Sequence, residues 1–329
     1  MTDFTAQSRY YDNSRLADYK ECPRKYFIRH MMGWTRDGNA VFLNFGSAWH
    51  DSMDVVWKHA KSFPKDELLK MAMLQFNLTW TDAGMPDMED FQGNEMYSPR
   101  TPGIAGEMLH NYIAERSKML AECTVLSIEQ PFAIPLPHLD NIWYVGRLDK
   151  VVEYGIQTLI LEHKTTTAYA TAGNFRSDWV EIWYSSPQCK GYQFGGSLFY
   201  PKLDGVWVDG ALVHKKIHDA FKFIPVNHHV DLLAEWVGYT NNWVQRVAGE
   251  EEAYKEAGVL KPGMFPKNED SCFGKYGTCQ FLDICRTVAD PTSLPEPPPG
   301  FKHEPWEPYS LLGLDKLIKE KEDDPSNST

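Results

Sequence analysis

The chain has 329 residues, a formal net charge of -12 and 43% hydrophobic residues, with aromatic residues making up 13%. That is ample for a packed core and excludes an unfolded chain. The acidic balance excludes a protein that coats nucleic acid through many Lys and Arg contacts to phosphate, but not a cleft that is basic only locally or that gains positive charge from a bound metal. No stretch approaches the roughly 20 apolar residues of a membrane span, and the segment from Met1 to Tyr10 has neither a basic start nor an apolar signal core, so a cytoplasmic protein is expected.

In chain order, Ser14 is the expected N-cap of a first helix through Leu16, Tyr19, Tyr26 and Phe27, with Pro23 kinking or dividing it. Helical patterns follow at Ser47 to Ala60, Glu67 to Thr81 and Gly106 to Ala121. Between Thr124 and Thr166 the pattern changes to alternation, as in Trp143, Val145, Arg147, Asp149 and Val151, with Gly155 marking a turn, and this block reads as three adjacent strands. A helix at Gln188 to Tyr200, strands at Val206 to His214 and Phe221 to His229, and a helix at Asp231 to Val247 complete an α/β order with a helical N-terminal section. Residues 1–290 read as one domain. Seven of the 21 prolines fall between Pro291 and Pro308, so residues 291–329 read as a linker and polar tail with a short helix around Leu311 to Lys321.

The segment Gly146-Arg147-Leu148-Asp149 is followed by Glu162-His163-Lys164-Thr165-Thr166. A hairpin about Gly155 brings Asp149 and Glu162 together, and Lys164, two residues on from Glu162, lies on the same sheet face. Converging carboxylates suit a hard divalent cation, which can activate water and neutralise charge on a phosphate while an ammonium orients the nucleophile or stabilises the transition state. Glu-x-Lys alone is most often a surface strand pair. Gly46-Ser47-Ala48-Trp49-His50 opens a helix that aims His50, and Gln188 and Tyr192 are four residues apart on one helical face.

Four of the six cysteines form a second constellation. Cys22 lies in Tyr19-Lys20-Glu21-Cys22-Pro23-Arg24-Lys25-Tyr26, and Cys272, Cys279 and Cys285 cluster near the end of the folded part; Cys123 and Cys189 read as buried thiols. Disulfides are not expected in a cytoplasmic chain. Four thiolates can hold zinc or an iron–sulfur cluster, and ligand type alone does not decide between them. Arg24, Lys25, Arg29, Arg147, Lys150, Lys215 and Lys216 are candidate phosphate contacts, fewer than half of which are expected to touch DNA.

Taken in order, a helical His, a sheet Asp after Gly-x-x, Glu-x-Lys and a helix with Gln-x-x-x-Tyr resemble the RecB-like branch of the PD-(D/E)XK nucleases. The resemblance implies a restriction-endonuclease-like α/β core with a mixed central sheet. It implies Mg²⁺ or Mn²⁺ held by His50, Asp149, Glu162 and the backbone carbonyl of His163, Lys164 as the catalytic lysine, and Gln188 and Tyr192 as DNA contacts that steady the site. The Ser14-x-Leu16-x-x-Tyr19-x-x-Cys22-Pro23-Arg24-Lys25-Tyr26 string is similar to the N-terminal cysteine segment of the iron–sulfur members of that family. This implies a [4Fe–4S] cluster on Cys22, Cys272, Cys279 and Cys285 in a C-terminal lobe, with zinc as the alternative occupant. The expected activity is that of a DNA nuclease, an exonuclease processing single-stranded or duplex DNA ends in phage-type replication or recombination, alongside recombination or replication proteins. A CRISPR spacer-acquisition nuclease and a non-catalytic metal-stabilised DNA-binding scaffold are the alternatives. No Gly-x-x-x-x-Gly-Lys-Ser/Thr loop occurs, which argues against a helicase.

Overall fold

The computed structural model describes residues 8–38, 40–86, 94–171, 174–274, 277–308 and 312. In chain order the elements are β1 (Arg9–Tyr11), α1 (Asn13–Glu21), α2 (Pro23–Tyr26), a π-helical turn (Phe27–Met31), β2 (Trp34–Arg36), α3 (Val41–His59), α4 (Lys65–Asp82), α5 (Asn94–Tyr97), α6 (Pro102–Glu115), α7 (Ser117–Glu122) and β3 (Thr124–Pro135). They continue with β4 (Ile142–Tyr154), β5 (Gln157–Thr166), α8 (Ser177–Tyr184), α9 (Pro187–Ser197), β6 (Leu203–Leu212), β7 (Phe221–Val226), α10 (Val230–Ala257), β8 (Phe273–Gly274), β9 (Gly277–Thr278), α11 (Leu282–Thr287) and β10 (Phe301–His303). The chain divides into two compact units, one of Met1–Gly38, Pro131–Gly146 and Asp231–Thr329, the other of Asn39–Gln130 and Arg147–Val230.

The second unit is a mixed α/β structure. β4 and β5 pair antiparallel from Lys150↔Leu161 to Tyr154↔Gln157. Gly155, at φ +61, opens the two-residue turn between them, the position that a primed hairpin turn reserves for glycine. β5 then runs parallel to β6, and β6 antiparallel to β7. Parallel neighbours need a crossover, and α8 and α9 supply it in sequence. On α3 the buried positions Phe45, Ala48, Trp49, Ser52, Met53, Val56 and Trp57 recur at three- and four-residue steps, which makes one continuous stripe. That stripe joins Phe76 and Trp80 of α4, Leu109 and Tyr112 of α6, and Val152, Leu159, Leu161 and Ala211 of the sheet in a single core.

In the first unit β1 runs parallel to the opening residues of β4, Arg9↔Ile142 to Tyr11↔Tyr144. Tyr11, Arg15 and Tyr26 converge on Glu251 of α10: Tyr11 donates to Oε2 at 2.8 Å, while Arg15 at 3.2 Å and Tyr26 at 2.5 Å reach Oε1. The helix-starting residue is Asp12, two before the expected Ser14, because its carboxylate accepts from the Arg15 amide at 2.7 Å. Pro23 divides the helix as expected. Cys22 sits extended between the two pieces, and proline occupies the first turn of the next, where its missing N–H costs nothing. Within the proline-rich stretch, β10 pairs antiparallel with β2, Phe301↔Arg36 to His303↔Trp34. The helix expected around Leu311 to Lys321 lies outside the described residues apart from Leu312.

Candidate active site

All the predicted catalytic side chains lie in the second unit. β5 presents Glu162 and Lys164 two residues apart, hence on one face, and the Lys164 ammonium pairs with Glu162 Oε1. α9 begins with Ser186 capping the Cys189 amide and Pro187 in the first turn. It projects Gln188, whose Nε2 donates to Glu162 Oε1 at 3.0 Å and to the Tyr192 hydroxyl at 2.8 Å. From α3, His50 Nδ1 lies 3.1 Å from Asp149 Oδ2, and the same oxygen accepts from the His163 amide at 3.0 Å. His50, Asp149, Glu162, Lys164, Gln188 and Tyr192 are therefore joined by contacts running from α3 through β4 and β5 to α9.

The electrostatics follow from burial. Glu162 is 1% exposed, and burial together with the Asp149 charge pushes its carboxyl up to about 7, against the pull of Lys164. Burial also works to raise Asp149, but the His50 imidazole bonded to it and the ammonium groups of Lys164 and Lys150 outweigh it and hold the acid below the ordinary carboxylate range. Burial alone would pull the Lys164 ammonium down; Glu162 and Asp149 reverse that and raise it. His50 is likewise raised, since the Asp149 charge overcomes its burial.

Glu162 Oε2 is buried with no hydrogen-bond partner. Leaving a buried carboxylate oxygen unsatisfied is costly, and a divalent cation is a partner that this oxygen would accept. The donor set around it, two carboxylates and an imidazole, suits Mg²⁺ or Mn²⁺. Among the described residues, no three His, Cys, Asp or Glu already stand in a metal-holding arrangement. The acids are instead engaged by Lys164, Gln188, His50 and the His163 amide.

The ring of His163 turns to the other side of β5. It is fully buried, pulled down to about 4 by burial and by the Lys150 charge, and lies 3.4 Å from Asp209 Oδ2 on β6. Asp209 accepts from Tyr112 at 2.6 Å and Arg116 at 3.0 Å, and Tyr112 in turn accepts from Trp57 Nε1 at 3.0 Å. This network behind the acids escaped the sequence reading. Its one signal was an aspartate within the apolar run Val206-Trp207-Val208-Asp209-Gly210-Ala211.

Of the candidate phosphate contacts, the buried Lys150 and Arg24 are corrected, while Arg147, Lys25 and Arg29 have acidic partners. Lys150 has no exposed side-chain surface and pairs with Asp54 of α3, so it serves the interior. Arg147 pairs with Glu129, whose carboxyl is pushed up to about 7 by burial. Arg24 is buried and donates to the carbonyls of Phe265 and Ala289, while Lys25 and Arg29 both pair with Asp18.

The four cysteines of the second constellation all lie in the first unit. The Asn268 amide donates to Cys22 Sγ at 3.4 Å, and the Cys279 amide to the Cys272 carbonyl at 2.9 Å. Burial raises the thiols of Cys279 and Cys285, the latter to about 11, and Cys22 adds to both while Cys272 adds to Cys279, as neighbouring thiols do. Cys123 and Cys189 are buried elsewhere, each raised by burial to about 11.

A family model, the PD-(D/E)XK nuclease superfamily, matches residues 13–286. The chain belongs to that superfamily. Among solved structures it is similar to a candidate exonuclease from Eubacterium rectale (13% identity, 87% of this chain and 92% of that one, TM-score 0.46). It is also similar to LHK-Exo in complex with dAMP (14% identity, 65% and 96%, TM-score 0.29). No curated protein matches the chain. Among the described residues no helix is long and apolar enough to cross a membrane.

Proposed function

We propose that the chain is a deoxyribonuclease dependent on Mg²⁺ or Mn²⁺ that hydrolyses phosphodiester bonds as an exonuclease at DNA ends, in the cytoplasm, during phage-type replication or recombination. The observation that carries this reading is the meeting of Asp149, Glu162 and Lys164 on one hairpin, with Glu162 Oε2 buried and unpartnered. His50, Asp149, Glu162 and the His163 carbonyl would hold the cation. Once bound, it supplies a lowered pKa for water and charge neutralisation at the scissile phosphate. Lys164 stands beside Glu162 to orient the attacking water and to balance charge developing on the phosphate. Gln188 fixes the rotamer of Glu162, and Tyr192 fixes Gln188.

For the cysteines we propose a [4Fe–4S] cluster on Cys22, Cys272, Cys279 and Cys285, with zinc as the less favoured occupant. The resemblance of the Cys22 segment to iron–sulfur nucleases supports it, as do the bond from Asn268 to Cys22 Sγ and the influence of Cys22 on both Cys279 and Cys285. Anaerobically purified protein should be brown and carry about four irons per chain; colourless protein with one zinc would replace the cluster and leave the nuclease reading intact.

The deciding experiment incubates the protein with end-labelled linear DNA and with covalently closed circular DNA, with Mg²⁺, with Mn²⁺ and with EDTA. Stepwise loss of label from linear DNA only, abolished by EDTA, is expected. Cleavage of the circle at a comparable rate would replace the exonuclease with an endonuclease, and no cleavage under any condition would overturn the assignment.

A further inference from the structure

β6 carries a glycine, Gly210, opposite Lys164 of β5. A Cβ at Gly210 would stand 2.7 Å from the Trp179 ring and 3.3 Å from that of Phe175, so the missing side chain is what lets Trp179 lie over β6 at the position paired with Lys164. Phe175 and Trp179 stack with centroids 5.1 Å apart, and Trp183, one turn further along α8, meets Trp179 edge-on at 5.7 Å. The Trp183 ring centroid is 6.0 Å from Lys164 Nζ.

α8 has no buried residue, and Ile182 and Tyr184 beside Trp183 are exposed. Trp179 packs over Gly210, but that packing does not account for the half-buried Trp183 or for the exposed Ile182 and Tyr184 beside it. Trp183 Nε1 is also buried without a hydrogen-bond partner, so the indole is set by its ring contacts and not by its polar edge.

We propose that Trp183 is a base-stacking residue of the active site: it takes the nucleobase next to the scissile phosphate on its ring face, with Trp179 over Gly210 fixing its position. The inference rests on the nuclease reading. The occupant follows from geometry, since any group whose phosphate reaches Lys164 brings its neighbouring base within one nucleotide of this indole. The contact favours an unpaired base, because a base inside a duplex has both faces covered and a terminal one is held in place by its pair. A stacked base contributes between about fivefold and about 150-fold in affinity.

The test uses the full chain with Mg²⁺ and single-stranded oligonucleotides that are intact or carry a tetrahydrofuran abasic residue beside the phosphate cleaved first. Wild type, Trp183→Ala and Trp183→Phe are compared by kcat and KM. Wild type should favour the intact strand by about fivefold or more. Trp183→Ala should lose that preference, the intact strand slowing far more than the abasic one, and Trp183→Phe should recover most of it. Equal slowing of both strands, or no change in either, overturns the inference while cleavage by wild type keeps the nuclease reading. A wild type that cleaves end-labelled duplex DNA but neither single strand also overturns the inference and keeps the nuclease reading, and one that cleaves no DNA removes both.

Discussion

Gln188 Nε2 donates to Glu162 Oε1 at 3.0 Å and to the Tyr192 hydroxyl at 2.8 Å, so a helix residue holds the orientation of a carboxylate 26 positions earlier in the chain. Partners of this kind orient a metal ligand without touching the metal, and losing one commonly costs about 10- to 100-fold. Gln188→Ala should lower cleavage by about that factor and raise the Mg²⁺ concentration needed for half-maximal rate, with the melting temperature little altered, because Gln188 is only partly buried. A Mg²⁺ titration of wild type and variant decides it. An unchanged titration would leave Gln188 outside the site's support.

Asp149→Ala, Glu162→Ala and Lys164→Ala should each abolish cleavage of end-labelled DNA. His50→Ala should leave a residue of activity, because water can replace a neutral ligand. The four variants are compared in a single assay at saturating Mg²⁺, with circular dichroism as the check on folding. Wild-type activity in any of the first three would sink the assignment of that residue, and a wild-type Mg²⁺ dependence in His50→Ala would make His50 structural.

Asp209 is 1% exposed and is held by Tyr112, Arg116 and the neighbouring His163. Asp209→Ala leaves the Arg116 guanidinium with the half-exposed Glu115 as its remaining acidic partner, and breaking a buried pair costs up to about 3–5 kcal/mol. Asp209→Asn keeps the shape and one acceptor and should cost less. Urea denaturation of the three proteins measures the order. If Asp209→Ala were as stable as wild type, the network behind the acids would contribute nothing to the fold.

What the sequence disclosed and what it hid divide along a physical line. Asp149, Glu162, Lys164, Gln188 and Tyr192 are chemistry-bearing types at local spacings, two along a strand and four along a helix, and those spacings predict shared faces before any tertiary contact is known. Asp209 lacks that help, since its partners Arg116 and Tyr112 lie 93 and 97 residues away. Lys150 was misread for the same reason: Asp54, which lets an ammonium be buried, is 96 residues earlier. α8 was missed because Ser177–Tyr184 buries nothing, so no apolar stripe marks it as a helix. α10 runs on to Ala257, ten residues past the expected end at Val247, because Glu251 looks like a solvent residue until Tyr11, Arg15 and Tyr26 are brought to it.

Asp18 gives a pH prediction in the first unit. Its carboxylate lies within 2.9 Å of Lys25 and of His30 and 3.1 Å of Arg29. Burial opposes ionisation, but these partners win and lower its pKa from 3.8 to about 2. A depressed acid stabilises the fold above its unfolded pKa and loses that contribution as pH falls through the folded value. Asp18→Asn should therefore cost about 2 kcal/mol at neutral pH, and the gap to wild type should close between about pH 4 and pH 2. Denaturation curves at pH 7, 4 and 2 show it; a gap that did not shrink on acidification would assign the loss to something other than the charge.

The proposed cluster divides the six cysteines into two classes that should respond differently to removal. Cys22 lies between α1 and α2, with Asn268 bonded to its sulfur and to the Glu21 carbonyl, so the turn before α2 is tied to the segment that leads into Cys272. A ligand linking Cys22 to Cys272, Cys279 and Cys285 would close a loop of some 250 residues, and such closures stabilise chiefly by restricting the unfolded chain. Replacing any of those four with Ser should lower iron content, melting temperature and soluble yield together. Cys123 and Cys189 belong to the second unit, so their Ala variants should keep full iron, with any effect of Cys189→Ala on cleavage acting through its neighbour Gln188. Iron per chain and melting temperature are measured for all six. If iron loss failed to sort Cys22, Cys272, Cys279 and Cys285 from Cys123 and Cys189, the four-thiolate site would be wrong, whatever the nuclease assays had shown.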